Sequence, residues 1–155
     1  MAVVDGSTSP SGVVLDRSGY TMTLPAGSTV DPATESFDQD HLTSANLRHD
    51  TTLIVVMIDD KTGGPAAFDR TVASLKSELA TVTSDGDGAV DIGKVVRSVA
   101  LRGKVTGHDE TFDFTVSEFD GPARAYLVVA EYPDSSAADA STLVDQALGT
   151  LRLKG

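Results

Sequence analysis

The residues of this chain best suited to chemistry are carboxylates in glycine-rich turns. Asp85–Gly88 alternates aspartate with glycine and resembles the first carboxylates of a calcium-binding loop. Such a loop also needs a bidentate glutamate at its twelfth position, where this chain has Val96. We therefore interpret Asp85–Gly88 as a turn that stops a helix, and we expect no metal ligands there.

Other acid–base candidates follow predicted strands or lie at hairpin tips. Asp59 and Asp60 end an apolar strand, a place where active-site carboxylates often lie but where turn-forming aspartates are also common. His108 precedes Asp109 and Glu110, although a polar residue at a hairpin tip is solvated by default. Its spacing from the other two histidines, His41 and His49, is not that of a metal-binding motif.

Motifs for nucleophilic or phosphate chemistry are also missing from the sequence. The serines lack a Gly-x-Ser-x-Gly elbow, and the chain has no cysteine. Gly63–Gly64 precedes a predicted helix, but no Lys-Ser/Thr pair follows it. We expect a protein that is not an enzyme, with no catalytic, cofactor-binding or metal-binding residues and no cofactor.

Composition narrows the range of partners. The chain has 155 residues, a formal net charge of −11 and 40% hydrophobic residues, which suits one globular domain. An acidic surface repels phosphate backbones, so we expect no nucleic-acid partner. No apolar run reaches the roughly 20 residues that a membrane-spanning helix needs.

The N-terminal residues predict a flexible leader over 1–12, followed by a single α+β domain over 13–155. The leader is small and polar and lacks the basic and apolar regions of a signal peptide. A mature exported domain whose signal or lipid-anchor segment has been removed would look like this, and so would a cytosolic protein with a loose tail.

The first half of the domain predicts three strands and a helix. Val13–Asp16 and Tyr20–Leu24 form a hairpin with Gly19 in the left-handed region, and Pro25 ends its second strand. A loop over 27–40, with one helical turn near 33–37, leads to a strand or frayed helix over 42–49. Residues 51–58 predict a central strand covered on both faces. Apolar spacings of three and four residues then predict an amphipathic helix over 65–83.

The second half predicts a three-stranded meander and a final helix. The strands cover 94–105, 111–119 and 123–132, and the middle one alternates apolar and polar residues as a half-exposed antiparallel strand does. Asp134–Ser136 offers N-cap side chains to a helix with an apolar stripe from Ala140 to Leu151. We expect an antiparallel-rich sheet that is sandwiched or backed by helices packed on it, an α+β fold.

This order of elements resembles the PsbP-like superfamily, which includes DcrB, Mog-type and actinobacterial lipoprotein domains. Tyr20, Pro25 and Gly27 match the family's aromatic strand and Pro-x-Gly turn, and Ser28 stands where the family pattern has tryptophan. The resemblance covers residues 13–153. It implies an α/β/α sandwich that serves as an accessory subunit, a chaperone-like adaptor or a cell-envelope lipoprotein domain, with no catalytic residues to carry over.

Three functional hypotheses follow. The first is a non-enzymatic binding or accessory module of the cell envelope, exported rather than cytoplasmic, that holds a protein or hydrophobic ligand on an exposed sheet face or hairpin tips. The second is an enzyme or metal protein whose site assembles from carboxylates and one histidine, namely Asp59, Asp60, Asp85, Asp87 and His108. The third is an acidic immunity or chaperone-type adaptor for a basic partner.

Overall fold

In the residues that the structure describes, the protein contains two antiparallel sheets and two α-helices. Its structure is a computed structural model that describes residues 7–9, 12–17, 19–31, 42–48, 50–58, 64–86, 95–105, 107, 109–121 and 124–153. The strands and helices, in chain order, are β1 (Ser7–Ser9), β2 (Gly12–Asp16), β3 (Tyr20–Leu24), β4 (Thr29–Val30), β5 (Leu42–Asn46), β6 (Thr52–Ile58), α1 (Gly64–Glu78), β7 (Leu79–Gly86), β8 (Val95–Val105), β9 (Thr111–Asp120), β10 (Ala125–Pro133), α2 (Ala137–Gly149) and β11 (Arg152–Leu153).

The larger sheet has seven strands in the order β4-β5-β6-β10-β9-β8-β7. Each neighbouring pair is antiparallel, and β8, β9 and β10 form the predicted meander. Residues 42–49, for which the sequence predicts either a strand or a frayed helix, contain the strand β5. The predicted α+β class with an antiparallel-rich sheet is confirmed.

The inner face of this sheet, which carries Leu53, Val55 and Met57 of β6, is covered by a second layer. That layer consists of α2 and a four-stranded sheet in the order β1-β2-β3-β11. The predicted apolar stripe of α2 is buried in this core. As predicted, Tyr20, Met22 and Leu24 of β3 share one buried face.

The outer face of the larger sheet carries α1. Ala67 and Phe68 pack on Val116 of β9 and Leu127 of β10, and the following turns of α1 pack toward β7, β8 and β9. The helix therefore covers the half of the outer face that is built by β8, β9 and β10. The layers form a sandwich with one helix on each side, which is the arrangement that the family resemblance implies.

The prediction that residues 51–58 form a strand covered on both faces is wrong, because one face of β6 is only partly covered. It is central in the sheet, between β5 and β10, but its burial alternates. Leu53, Val55 and Met57 are buried, whereas Ile54, Val56 and Ile58 are only half-buried because α1 lies over the strands on the other side of β10.

The first helix is shorter than predicted. It ends at Glu78, and Leu79 begins the strand β7, which pairs with β8. The apolar spacing of Leu75 and Leu79 continues into the strand, where the β-branched run 81–83 favours extended backbone. Asp85 and Gly86 therefore lie in a strand and not in a helix-stopping turn.

Two glycines near the start of the domain have different roles. Gly27 has a φ of 89°, and the amide of Ser28 donates to the carbonyl of Pro25 at 3.1 Å, so the predicted Pro-x-Gly turn is confirmed. Gly19 was predicted to be left-handed, but its φ is not positive. It is needed for space, because a Cβ there would overlap the Tyr126 hydroxyl and lie 2.9 Å from Tyr126 Cζ.

Two predictions in the second half were also wrong. The polar side of β9 is not solvent-exposed, since Asp113 and Ser117 are buried, with 8% and 1% exposure. Ser136 at the N-cap position of α2 makes no capping hydrogen bond. Residues Asp134–Ser136 instead form a 3-10 turn, in which Asp134 pairs with Arg102 and Ser135 donates to Glu110.

Some sequence predictions concern residues outside the described ranges. Of the leader, Ser7–Ser9 form the strand β1 and Gly12 belongs to β2, while the boundary at residue 13 stays a prediction. The helical turn near 33–37 lies outside the described residues. Within the described part of the chain, no helix is long and apolar enough to cross a membrane.

Candidate functional site

An apolar groove lies between the outer face of the larger sheet and α1. We call it the α1 groove, and its volume is about 520 Å³. Its floor is formed by side chains of β6 and β10, and one wall by a stripe of α1. The floor residues are Ile54, Val56, Ile58, Leu127 and Val129, and the wall residues are Ala67, Arg70, Thr71, Ser74, Leu75 and Glu78.

The groove follows from two local periodicities. Residues 54, 56 and 58 share a face because side chains alternate along a strand, and the register places Val56 opposite Leu127 and Ile54 opposite Val129. The wall residues recur every three or four positions, which puts them on one side of a helix. The strand and the helix therefore line the groove along its length.

The apolar floor continues onto the neighbouring strand β5. Leu42 pairs with Val56 and so projects from the same face. Its exposure of 37% makes it the one large hydrophobic side chain that is exposed among the described residues. The open side of the α1 groove thus consists of aliphatic side chains that reach from β10 across β6 to β5.

Charged groups lie toward the ends of the groove wall. Arg70 and Glu78 are eight residues apart on α1, a rise of about 12 Å. Glu131 extends the floor, since it is two residues beyond Val129 on β10 and pairs with Thr52. Its carboxyl is half-buried, and its pKa is raised above the ordinary value first by burial and then by the charge of Glu78.

A second charged cluster lies on the inner side of β8 and β9. Arg102 Nε donates to Asp113 Oδ1 at 2.6 Å and lies 3.3 Å from Asp134 Oδ1. Burial raises the pKa of Asp113; the hydrogen bond from Arg102 opposes this shift, and the nearby Asp134 carboxyl adds to it. The cluster fastens the 3-10 turn before α2 to the sheet, so its evident role is structural.

A buried polar network joins the smaller sheet to β5. Tyr20 donates its hydroxyl hydrogen to Thr43 Oγ1 at 2.8 Å, and Arg17 Nε donates to the same oxygen at 3.2 Å. Tyr126 stacks edge-on against Tyr20 and directs its hydroxyl to Met57 Sδ at 3.5 Å. Burial raises the pKa of Tyr20, so its hydroxyl stays protonated. We therefore assign this network a structural role in joining the two layers.

Most of the residues in the enzymatic or metal-binding hypothesis lie outside the described ranges. These are Asp59, Asp60, Asp87 and His108, and the other two histidines, His41 and His49, also lie outside those ranges. The backbone of Asp85 lies on β7, an edge strand, and Gly64 is the first residue of α1. In the ranges that the structure describes, no three histidine, aspartate or glutamate side chains are grouped to hold a metal ion.

The α1 groove itself was not located from the sequence. The exposed sheet face of the first hypothesis was stated without residues, and β6 was interpreted as covered on both faces. One feature could have indicated an open sheet face, namely the width of the sheet across its strands. A single helix of 15 residues cannot cover one face of a seven-stranded sheet.

Comparison with known proteins gives structural relatives only. No protein-family model and no curated protein matches the sequence. A cyanobacterial PsbP from Synechocystis sp. aligns with a TM-score of 0.58 and 12% identity, over 96% of this chain and 98% of that one. The Ran-binding protein Mog1p of Saccharomyces cerevisiae aligns with a TM-score of 0.56 and 11% identity, over 86% and 89% of the two chains.

A third solved structure, from Bacteroides thetaiotaomicron, aligns with a TM-score of 0.55 and 10% identity. The alignment covers 88% of this chain but only 45% of that protein, so this chain spans less than half of its length. Sequence identities this low establish the fold and nothing further. The resemblance expected from the order of elements is confirmed at that level, and the chain has the PsbP-like fold.

Proposed function

We propose that this protein is a non-enzymatic binding module that holds a protein or hydrophobic ligand in the α1 groove. The observation that carries the proposal is the half-buried aliphatic floor formed by β6 and β10, which continues to the exposed Leu42. Contiguous exposed apolar surface on a folded domain marks an interaction site more often than a chance exposure. Mog1p, a neighbour in fold, is named as a Ran-binding protein, so the fold supports protein binding elsewhere.

Site-specific photocrosslinking in the source cell tests this proposal. A photoreactive phenylalanine at position 42 lies on the apolar surface that continues the groove floor onto β5, and the same residue at position 139 lies on the exposed surface of α2. We expect crosslinked products from position 42 that are absent at position 139. Crosslinking at both positions alike, or at neither, would contradict a partner held in the groove.

The apolar character of the site is tested separately with the neutral dye Nile red. Val56→Asp places a charge in the floor, and Val14→Asp makes the same change at a half-buried valine of β2 outside the core cluster. We expect dye fluorescence to be lost in Val56→Asp and kept in Val14→Asp. Leu42→Asp repeats the test at an exposed position, where the fold tolerates a charge.

We also propose that the module belongs to the cell envelope and works on its extracellular side, as a domain of an exported protein. The support is the resemblance of residues 13–153 to envelope lipoprotein domains. Fractionation of the source cells, with protease added to intact cells, tests it. The proposal predicts that the protein is recovered with the envelope and is digested from outside; recovery in the protease-protected cytosol would overturn it.

A further inference from the structure

The α1 groove combines a narrow aliphatic floor with one arginine on its wall. The floor consists of two rows of side chains, on β6 and β10, which are about 4.8 Å apart and run for about 13 Å from Ile54 to Ile58. Arg70 lines the wall, about one helical turn after Ala67. This combination suits a slender apolar molecule that carries a negative charge at one end.

The apolar floor is too narrow for a helical segment of a partner. On the open side, β5 adds Leu42 to this face, but its next outward residues are Ser44, which pairs with Ile54, and Asn46. A helix is about 10–12 Å across, so it would also cover these two polar residues. Taking their polar groups out of water is costly unless each gains a new hydrogen bond.

An extended peptide is disfavoured for a different reason. The strand β6 pairs with β5 over 52–56 and with β10 over 52–58, and β10 pairs with β9 along its whole length. The backbone groups beneath the floor are therefore already bonded, and the floor side chains are aliphatic. A peptide on this floor would leave N–H and C=O groups without partners, whereas a hydrocarbon chain has none to satisfy.

The dimensions of the groove match one hydrocarbon chain. Carbon atoms in van der Waals contact are about 3.5–4.0 Å apart, so a single chain fits in the furrow between rows separated by about 4.8 Å. An extended chain of single bonds advances about 1.2 Å per bond, since a residue of three bonds spans about 3.3–3.6 Å. The floor of about 13 Å and the wall of about 16 Å from Ala67 to Glu78 therefore correspond to roughly 11–14 carbon atoms.

Arg70 determines which end group the groove favours. Its side chain lines the groove, and none of the helix positions three or four residues away carries a carboxylate. Within the residues that the structure describes, Arg70 makes no ion pair. An anionic group at the opposite end of the wall would instead meet the negative charge of Glu78. The anionic end of a ligand is therefore favoured next to Arg70.

A carboxylate suits this position better than a phosphate does. A phosphate monoester carries a charge of about −1.5 to −2 at pH 7, which a chain of net charge −11 repels more strongly than the single charge of a carboxylate. The planar guanidinium of Arg70 can donate two parallel hydrogen bonds to the two oxygens of a carboxylate.

We propose that the α1 groove holds a fatty acid, with its single hydrocarbon chain on the β6–β10 floor and its carboxylate paired with Arg70. This inference rests on the proposed function, because it names the chemical class of the hydrophobic ligand for the same groove. It gives Arg70 a specificity-determining role.

Displacement of Nile red by decanoate and by decan-1-ol tests the inference. We expect Arg70→Gln to weaken the binding of decanoate roughly 3- to 10-fold and that of the uncharged alcohol less than about 2-fold. Lys104→Gln removes an equal charge from an exposed position on β8, and it should change the binding of either ligand less than about 2-fold. The alcohol also reports whether the groove of Arg70→Gln is intact.

The position of the carboxylate is measured by NMR titration of decanoate labelled with carbon-13 at its carboxyl group. Arg70 stabilises the ionised form, so the pKa of the bound ligand should be higher in Arg70→Gln than in the wild type. The pKa should not change in Lys104→Gln. Equal values in the wild type and Arg70→Gln would overturn the pairing with Arg70.

The remaining outcomes separate this inference from the proposed function. Equal weakening of decanoate by Arg70→Gln and Lys104→Gln, or equal weakening of acid and alcohol by Arg70→Gln, would overturn the assigned role of Arg70 and leave the groove as the site. If neither ligand displaces a dye whose binding Val56→Asp abolishes, the fatty acid is overturned and the proposed function stands. Dye and decanoate binding that Val56→Asp leaves unchanged would overturn both.

Discussion

Single residues decide how closely the layers of this sandwich approach each other. Gly19 lets the hydroxyl of the fully buried Tyr126 pass next to the β2–β3 hairpin on its way to Met57. The sequence places a glycine at the right position in the hairpin, but it cannot show that the constraint comes from a tyrosine more than a hundred residues later. The predicted reason for Gly19 was therefore local, and the actual reason is tertiary.

We expect Gly19→Ala to destabilise the protein by about 2–4 kcal/mol, because the new methyl group and the Tyr126 ring cannot occupy the same space. Gly149→Ala is the matched control, since a Cβ there meets nothing within 4 Å; its effect should stay within about 0.5 kcal/mol. Urea unfolding of both variants measures the difference. Similar values for the two glycines would contradict the close approach at Gly19.

The half-buried carboxyl of Glu131 predicts a pH dependence of stability. Its folded pKa lies above the ordinary value of 4.5, so the uncharged form is favoured in the folded state and the cost of ionisation is absent below pH 4.5. As pH rises through the folded pKa, the wild type should lose stability relative to Glu131→Gln. Urea unfolding of both proteins at pH 4 and pH 7 tests this.

Glu78→Gln provides the control for that measurement. Removing the like charge should lower the pKa of Glu131 toward its ordinary value, which an NMR titration of the Glu131 carboxyl would show. A difference between wild type and Glu131→Gln that does not vary with pH would contradict the cause assigned here.

At the scale of elements, hydrophobic periodicity predicts the long strands and helices but not the short strands. The long strands β8, β9 and β10 and the stripe of α2 were predicted within a few residues because their apolar patterns are set by burial along the whole element. The short strands β1, β4 and β11 were not predicted, because a segment of two or three residues is too short to show a period and becomes a strand only by pairing with a neighbour.

The α1 groove was missed for a related reason. A continuous apolar strand such as β6 can have the same sequence whether both of its faces are fully covered or one of them is covered only in part. What decides the exposure of Ile54, Val56 and Ile58 is the lateral position of α1, which is fixed by Phe68 packing on Val116 and Leu127. No local pattern in the strand encodes that position.

Thr150 connects the end of α2 to the smaller sheet. Its hydroxyl accepts a hydrogen bond from the Thr23 amide at 2.8 Å and lies 2.7 Å from the Ala147 carbonyl oxygen, to which it can donate. We expect Thr150→Val, which keeps the shape but removes the hydroxyl, to cost about 1–2 kcal/mol in unfolding free energy.

Thr142→Val is the matched change on the exposed side of α2, where the hydroxyl bonds only to the helix carbonyl of Ala138. Chemical denaturation should show an effect within about 0.5 kcal/mol there. Equal effects at positions 142 and 150 would mean that the link between α2 and β3 contributes nothing beyond helix propensity.

At the scale of the whole molecule, the two covering layers are offset from each other. α1 lies over β8, β9 and β10 on the outer face, whereas α2 and the smaller sheet pack on β5, β6 and β10 on the inner face. In the described part of the chain, β10 lies under both layers, and β9 also reaches the inner core through Phe119. The offset leaves the floor of the α1 groove open while the inner side of β6 stays buried.

This arrangement predicts an order of backbone protection. Amides of β10 should exchange with solvent most slowly, because this strand is covered on both faces and paired on both edges. Amides of β5 and β7 should exchange faster. Hydrogen exchange followed by NMR measures this order, and equal protection of β5 and β10 would contradict the offset packing.

The strands at the two ends of the described chain share one small sheet. In the order β1-β2-β3-β11, the first and last strands are three strand spacings apart, or about 14 Å, and both belong to the layer on the inner side. A host protein could therefore carry this fold within a single surface loop, entering at β1 and leaving at β11 through short linkers. Attached in that way, the domain would turn its smaller sheet toward the host and leave the opposite surface, with the α1 groove, accessible from outside.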